Sequence, residues 1–197
     1  MRLAFLASNN GSSMRAIVAA CRDGRLAAEP VLVVSNRKDS PALAFAVQNN
    51  VPALCIPTVK DPDGADNSLA DALMASGAEL VVLSGYLRKL GPRTLAAFRN
   101  RIFNVHPALL PDFGGQGMYG RRVHEAVLAA GVAETGATVH VVDDEYDHGP
   151  PVAQARVPVK ADDTAADIEA RVMAAEPGLY IDTLKRIASG ELTLPTA

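Results

Sequence analysis

The chain has 197 residues, 49% of them hydrophobic and 21% charged, with a formal net charge of −3. Such a length and composition predict one domain with a substantial core, and the faintly acidic balance provides no basic field for a long nucleic acid. Cys21 and Cys55 follow no metal or redox spacing and sit in apolar segments, which reads as buried thiols of a reducing compartment. The first apolar run is too short for a signal core, and no run approaches the ~18 apolar residues of a membrane span. A soluble, cytoplasmic protein is expected.

Leu3 to Ala7 is a continuous apolar run, the pattern of a strand buried on both faces. The polar turn Ser8 to Ser13 follows. Met14, Ile17, Val18 and Cys21 then recur at helical spacing, with Ser12 or Ser13 available as cap. Strand, turn and helix in this order leave backbone N–H groups at the helix start, where an anion can sit. The turn has neither the three spaced glycines of a dinucleotide fingerprint nor the lysine of a triphosphate loop. It suits a single phosphate, and it equally suits a plain capped turn. Val31 to Val34 predicts a second buried strand, Pro41 to Gln48 a helix, and Pro52 to Ile56 a third strand. An exposed loop is expected over 57–67, then a helix over Ser68 to Ser76 that Gly77 ends. Glu79 to Ser84 reads as a fourth strand. The alternation predicts an α/β fold with a doubly wound parallel sheet, whose ligand crevice lies at the carboxyl ends of the strands.

Ile102 to His106 alternates as a short strand, and Pro107 ends it because proline cannot donate to a ladder. Asn104 and His106, two apart, then point the same way. An amide beside an imidazole can hold an oxyanion and handle a proton; the alternative is a capping asparagine and a hydrogen-bonded core histidine. Four glycines over 112–120 make either a mobile loop that closes over a ligand or a flexible surface connection. A helix through Val123, Ala126, Val127 and Leu128 should stop at Gly131, with His124 solvated or structural.

Thr135 to Val142 and Val152 to Val159 read as strands flanking the acidic turn 143–151. Asp143, Glu145 and Asp147 begin an EF-hand spacing, but His148 stands at the sixth position and Gln154 at the twelfth, so calcium is rejected. A solvated turn or a functional carboxylate remains. Thr164 and Asp167 form a variant capping box opening a helix through Ile168, Val172, Ala175 and Leu179. Pro177 and Gly178 should kink or split it before Ile181, Leu184 and Ile187, and the tail from Gly190 should be loose.

Asn10-Gly11-Ser12, Leu83-Ser84-Gly85-Tyr86-Leu87-Arg88, Asn104-Val105-His106-Pro107-Ala108-Leu109-Leu110-Pro111, Asp144-Glu145-Tyr146-Asp147 and Glu176 together give a match running nearly end to end. In these motifs the chain resembles the phosphoribosylglycinamide formyltransferases, folate-dependent enzymes of purine synthesis. The asparagine–histidine–proline motif is highly specific and decides between the two readings of Asn104 and His106. The resemblance implies a Rossmann-like, mostly parallel sheet with antiparallel strands in the C-terminal half. It further implies a single domain over 1–197, with 1–100 the phosphate-binding half and 101–197 the catalytic and folate-binding half. The implied reaction is formyl transfer from 10-formyltetrahydrofolate, the co-substrate, to the glycine amine of 5'-phosphoribosylglycinamide through a tetrahedral intermediate, with no metal.

By this resemblance His106 is the proton donor, Asn104 holds the formyl oxygen, and Asp147 orients His106 and favours its protonated ring. Gly11, Ser12 and Ser13 take the substrate phosphate, Asn10 also binds that substrate, and Glu176 contacts the glycinamide portion. Leu87, Arg88, Lys89, Leu90, Asn104, Val141 and Asp144 line the folate pocket. The expected partners are small molecules alone, with no nucleic acid or membrane, in a monomer or homodimer.

Five features depart from the family's commoner pattern. Ser13 stands where asparagine is usual, and a folate-contacting arginine has no clear counterpart over 61–67, with Lys60 only a candidate. His148 replaces a glycine, 114–122 is longer, and Pro177 follows Glu176 directly. A methionyl-tRNA formyltransferase would carry a further RNA-binding domain, and a formyltetrahydrofolate deformylase an amino-terminal regulatory one. A noncatalytic phosphometabolite-binding module would bind ligand and move no formyl group.

Overall fold

The computed structural model describes residues 1–194. In chain order the elements are β1 (Arg2–Leu6), α1 (Ser12–Arg22), β2 (Glu29–Ser35), α2 (Pro41–Gln48), β3 (Ala53–Cys55), α3 (Pro62–Ala75), β4 (Leu80–Leu83), α4 (Pro92–Ala97), β5 (Ile102–His106), α5 (Arg121–Ala130), β6 (Glu134–Val141), β7 (Pro151–Pro158) and α6 (Ala165–Ala188). One seven-stranded sheet runs in the order β3-β2-β1-β4-β5-β6-β7. The first five strands pair in parallel, whereas β5 with β6 and β6 with β7 are antiparallel. Strand order reverses around β1, which opens a crevice at its carboxyl end. No helix among the described residues is long and apolar enough to cross a membrane.

The apolar run of β1 is buried on both faces because the two faces feed different cores. Leu3 and Phe5 pack with Met14, Ile17, Phe103, Tyr180 and Leu184 on one side. Ala4 and Leu6 pack with Leu69, Leu73, Val81 and Phe98 on the other. A third cluster joins Val127, Ala137, Val157, Ile168 and Val172 beneath α5 and α6. Cys21 and Cys55 are free and half-buried rather than buried.

Four local expectations change. Gly11, not a serine, is the residue before α1: its φ is 64°, no side chain caps the helix, and an added Cβ would lie 3.0 Å from Met14 Cε. α3 begins at Pro62 instead of 68, because the Asp61 side chain accepts from Gly64 N–H and proline fits the first helical turn. α4, a six-residue helix opened by Pro92, was not anticipated. α6 is a single 24-residue helix through Pro177. The proline leaves the Met173 carbonyl without its helical donor, but Val172 on one side and Tyr180, Ile181 and Leu184 on the other bury the same face, and that packing holds both halves on the sheet. The capping box at Thr164 and Asp167 is present as read. No helix or strand follows α6 as far as 194, and the rest of the tail lies outside the described residues.

Candidate active site

The turns after β1, β2 and β4, the end of β5, the segment 115–120 and one face of α6 surround a cleft of about 1290 Å³. That exceeds the ~300–1,000 Å³ usual for one small ligand, leaving room for two. A pocket of about 80 Å³ branches from it between the loop after β4 and the acidic turn. The two share Tyr86, Arg88, Asn104, Tyr146 and Asp147, so they form one crevice. Val59, Leu87, Tyr119, Tyr146 and Met173 are large apolar side chains left exposed, and all five line the cleft.

At one end stands the α1 turn. Asn10, Gly11, Ser12 and Ser13 line the cleft together. The Met14 N–H is taken by the Ser84 hydroxyl at 3.0 Å, whereas those of Ser12 and Ser13 have no protein acceptor among the described residues. Helix starts in that state attract anions.

At the centre, β5 delivers Asn104 and His106 to the same side. Antiparallel pairing sets Asn104 opposite His140 and His106 opposite Thr138. His106 is buried, with Nδ1 3.3 Å from Asp147 Oδ2 and Nε2 2.8 Å from the Phe113 carbonyl oxygen. Both ring nitrogens therefore face oxygen acceptors. Asp147 occupies a left-handed conformation with φ 55° and also accepts from Gly115 N–H at 3.1 Å. Burial works against its ionisation, but the hydrogen bond and charge of His106 outweigh that and hold the carboxyl below its ordinary range. The turn can close only over glycine at 149, where a Cβ would stand 2.0 Å from the Val141 carbonyl.

His140 has the opposite character. Burial pushes its pKa down, against the pull of the Val141 carbonyl and Asp147. Its Nδ1–H donates to Val141 O at 2.9 Å, which leaves the Nε2 lone pair to accept from Asn104 Nδ2 at 3.2 Å. The amide of Asn104 is thereby oriented, with one N–H and its carbonyl oxygen free. No pattern in the residues singled His140 out; the only signal was a polar side chain inside a buried alternating strand. Glu176 on α6 lines the same cleft. Burial raises its pKa to about 7, with the charge of His106 pulling the other way, and no protein partner among the described residues takes its carboxyl.

The predicted pocket residues divide. Arg88, Lys89, Leu90 and Asn104 line the branch pocket, while Leu87 lines the main cleft. Of the stretch Val141 to Asp144, Val142 and Asp143 line the pocket, Val141 is buried in the core, and Asp144 is exposed and does not line it. Lys60 does not line the cleft, although its neighbour Val59 does. His148 bonds outward to Asp143 at 2.9 Å rather than to Asp147, and the Asp143 contact raises its pKa. His124 is buried with its Nδ1 unpartnered.

A doubly wound sheet ending in antiparallel strands, with an amide, an imidazole and a carboxylate at the crevice, defines the formyl transferase class, and the profile of that family matches residues 1–184. The chain belongs to the formyl transferase family. It is 42% identical over 189 residues to the chloroplastic phosphoribosylglycinamide formyltransferase of Arabidopsis thaliana, covering 94% of this chain and 65% of that one. The phosphoribosylglycinamide formyltransferase of Escherichia coli strain K12 is 33% identical over 196 residues, covering 98% and 90%. Among solved structures, the phosphoribosylglycinamide formyltransferase of Coxiella burnetii superposes with a TM-score of 0.90 at 34% identity, over 100% of this chain and 90% of that one. The chain thus spans just under two thirds of the plant relative and nine tenths of the bacterial ones.

Proposed function

We propose that the protein transfers a formyl group from 10-formyltetrahydrofolate to the glycine amine of 5'-phosphoribosylglycinamide, a step of de novo purine synthesis. The observation carrying this reading is the cluster of Asn104, buried His106 and Asp147 in a cleft that also contains the α1 anion turn. The amine nitrogen attacks the formyl carbon, and a tetrahedral oxyanion forms. The free Asn104 N–H and a protonated His106 stabilise that oxygen. The carbon–N10 bond then breaks, the amine gives up a proton, and the folate nitrogen gains one. His106 Nε2 donates to the Phe113 carbonyl in this structure, so donation to substrate exchanges that bond. Asp147 keeps the ring oriented through Nδ1.

In this scheme Gly11 to Ser13 receive the phosphate and Glu176 faces the glycinamide. The branch pocket takes the folate, and it is lined from both halves of the chain: Tyr86 to Leu90 from one, Asn104, His140 and the acidic turn from the other. The reading describes a cytoplasmic enzyme of small molecules, monomeric or homodimeric, with formyl-folate as co-substrate and no nucleic acid. The test is to incubate the protein with phosphoribosylglycinamide and 10-formylfolate while following folate absorbance. Turnover dependent on the glycinamide is expected. Turnover without it indicates a deformylase, and none with it sinks the enzyme reading.

A further inference from the structure

Three arginines line the cleft, Arg37, Arg88 and Arg122, and none has a carboxylate partner among the described residues, whereas Arg93, Arg121, Arg156 and Arg171 elsewhere each have one. Arg88 belongs to the branch pocket as well, and the guanidinium of Arg122 lies over the Tyr119 ring at 5.2 Å. Arg37 alone is joined to the α1 turn. Its Nη1 donates at 2.7 Å to Oδ1 of Asn9, a residue of the turn that itself lines the cleft.

Its backbone is held as firmly. Arg37 N–H donates to the Ser35 hydroxyl at 3.2 Å. Ser8 accepts from Leu87 N–H at 2.8 Å and donates to Asn36 Oδ1 at 2.7 Å. Ala42 N–H meets the Asn9 carbonyl at 3.0 Å. The turns after β1, β2 and β4 are thus tied into one rim. A guanidinium has five N–H donors, and only one is committed to a side chain. On the other side of the turn, Ser13 is 2% exposed, lines the cleft, and has a hydroxyl with no hydrogen-bond partner among the described residues. An unpartnered hydroxyl, two unclaimed backbone N–H groups and an arginine without a counter-ion thus line one cleft. A tetrahedral dianion offers acceptors to all of them.

Resting on the proposed formyl-transfer reading for its substrate, we infer that Arg37 is the side-chain cation of the phosphate subsite, and that it selects a phosphate monoester over the uncharged riboside. The backbone groups would supply shape, while Arg37 would supply the charge that distinguishes a dianion from a neutral hydroxyl.

The experiment titrates inorganic phosphate into the whole protein by calorimetry, beside steady-state kinetics with phosphoribosylglycinamide. R37Q is expected to weaken phosphate binding and raise KM for the glycinamide by ~10- to 100-fold, the range of a hydrogen bond to a charged group. The kcat and the KM for formyl-folate should stay within about 2-fold. R37K, which keeps the charge but loses the fork, should recover part of the loss. K38Q removes the same charge from the neighbouring residue, which does not line the cleft, and should change little. Phosphate binding in folded R37Q equal to the wild type, or an equal loss in K38Q, overturns the assignment. Because calorimetry needs no turnover, phosphate binding that depends on Arg37 in a protein that moves no formyl group upholds the subsite and sinks only the formyl-transfer reading.

Discussion

The α1 turn and the β5–β6 cluster face one crevice yet are made of different material. The turn presents backbone N–H groups at a helix start, positioned by a left-handed Gly11 and one serine hydroxyl from β4. The cluster's reacting groups are side chains: an imidazole between a carboxylate and the Phe113 backbone carbonyl, and an amide held by a second imidazole. Backbone donors survive most substitutions nearby, because the helix supplies them. Side-chain donors have no such reserve, and each depends on a partner that also titrates. Binding at the turn should therefore fade gradually under mutation, while chemistry at the cluster should fail abruptly.

The largest expected effect tests that contrast directly. His106→Ala should lower kcat by ~10³-fold, within the 10²–10⁴ attributed to a positioned acid or base, and leave phosphate binding and the melting temperature nearly unchanged. Asp147→Asn should lower kcat comparably, through an imidazole left mispositioned or uncharged once the carboxylate charge is gone, and should move the pH–rate profile. A near wild-type rate in either variant would make the cluster structural rather than catalytic.

Glu176 sharpens the comparison by lining the same crevice with a pKa of about 7. Burial raises that value above the 4.5 of an exposed glutamate, so the folded protein binds the proton more tightly than the unfolded one. Stability should thus be undiminished below about 4.5, fall as pH rises through about 7, and level off above it. Ionising this group costs at most ~3 kcal/mol from a shift of that size. Glu176→Gln should abolish the fall, so its melting temperature relative to wild type should rise by several degrees between pH 5 and pH 8. A difference constant across that range would show that the carboxyl is solvated. Its KM for the glycinamide substrate should rise if the carboxylate meets that molecule.

Tyr180→Phe probes what carries α6 past its proline. The buried hydroxyl donates to the Phe103 carbonyl at 2.8 Å, with the Leu83 carbonyl 3.3 Å away. Removing it should destabilise the fold by ~1–2 kcal/mol, the penalty of unsatisfied buried acceptors. Because Glu176 sits one turn earlier on the same helix, KM should shift modestly and kcat little. Unchanged stability would mean that apolar packing alone holds the helix there.

The strand carrying Asn104 and His106 was legible because its signals agree: alternation over Ile102 to His106, a proline stop at Pro107, and a family motif around both. Asp147 could be chosen among the carboxylates of its turn only by resemblance, since composition treats Asp143, Asp144, Glu145 and Asp147 alike. His140 escaped notice because its role depends on which residue it pairs with across β5 and β6, and that register comes from tertiary structure. Pro177 misled for a related reason. A local breaker predicts a kinked or split helix; the split does not occur, because the buried face on both sides of it outweighs the one lost hydrogen bond.

The start of α3 was missed on different grounds, and it yields the smallest expected effect. Asp61, Pro62, Asp63 and Gly64 have the composition of an exposed loop, and only the spacing of Asp61 to Gly64 marks a cap. In the structure the Asp61 carboxylate accepts from Gly64 N–H at 2.9 Å. Asp66, one turn into the helix, then accepts from the N–H groups of Arg93 and Thr94 at 2.8 and 3.1 Å, fixing α4 and the loop that precedes it. That loop carries Arg88 and Lys89 into the branch pocket. Asp61→Ala should destabilise the protein by ~1 kcal/mol, the usual worth of a cap, lowering the melting temperature by ~2–4 °C for a chain of this size. If the first turn of α3 frays with it, Asp66 loses its footing, and KM for formyl-folate should rise more than KM for the glycinamide. Equal changes in both would mean that the cap stabilises the fold without positioning the pocket.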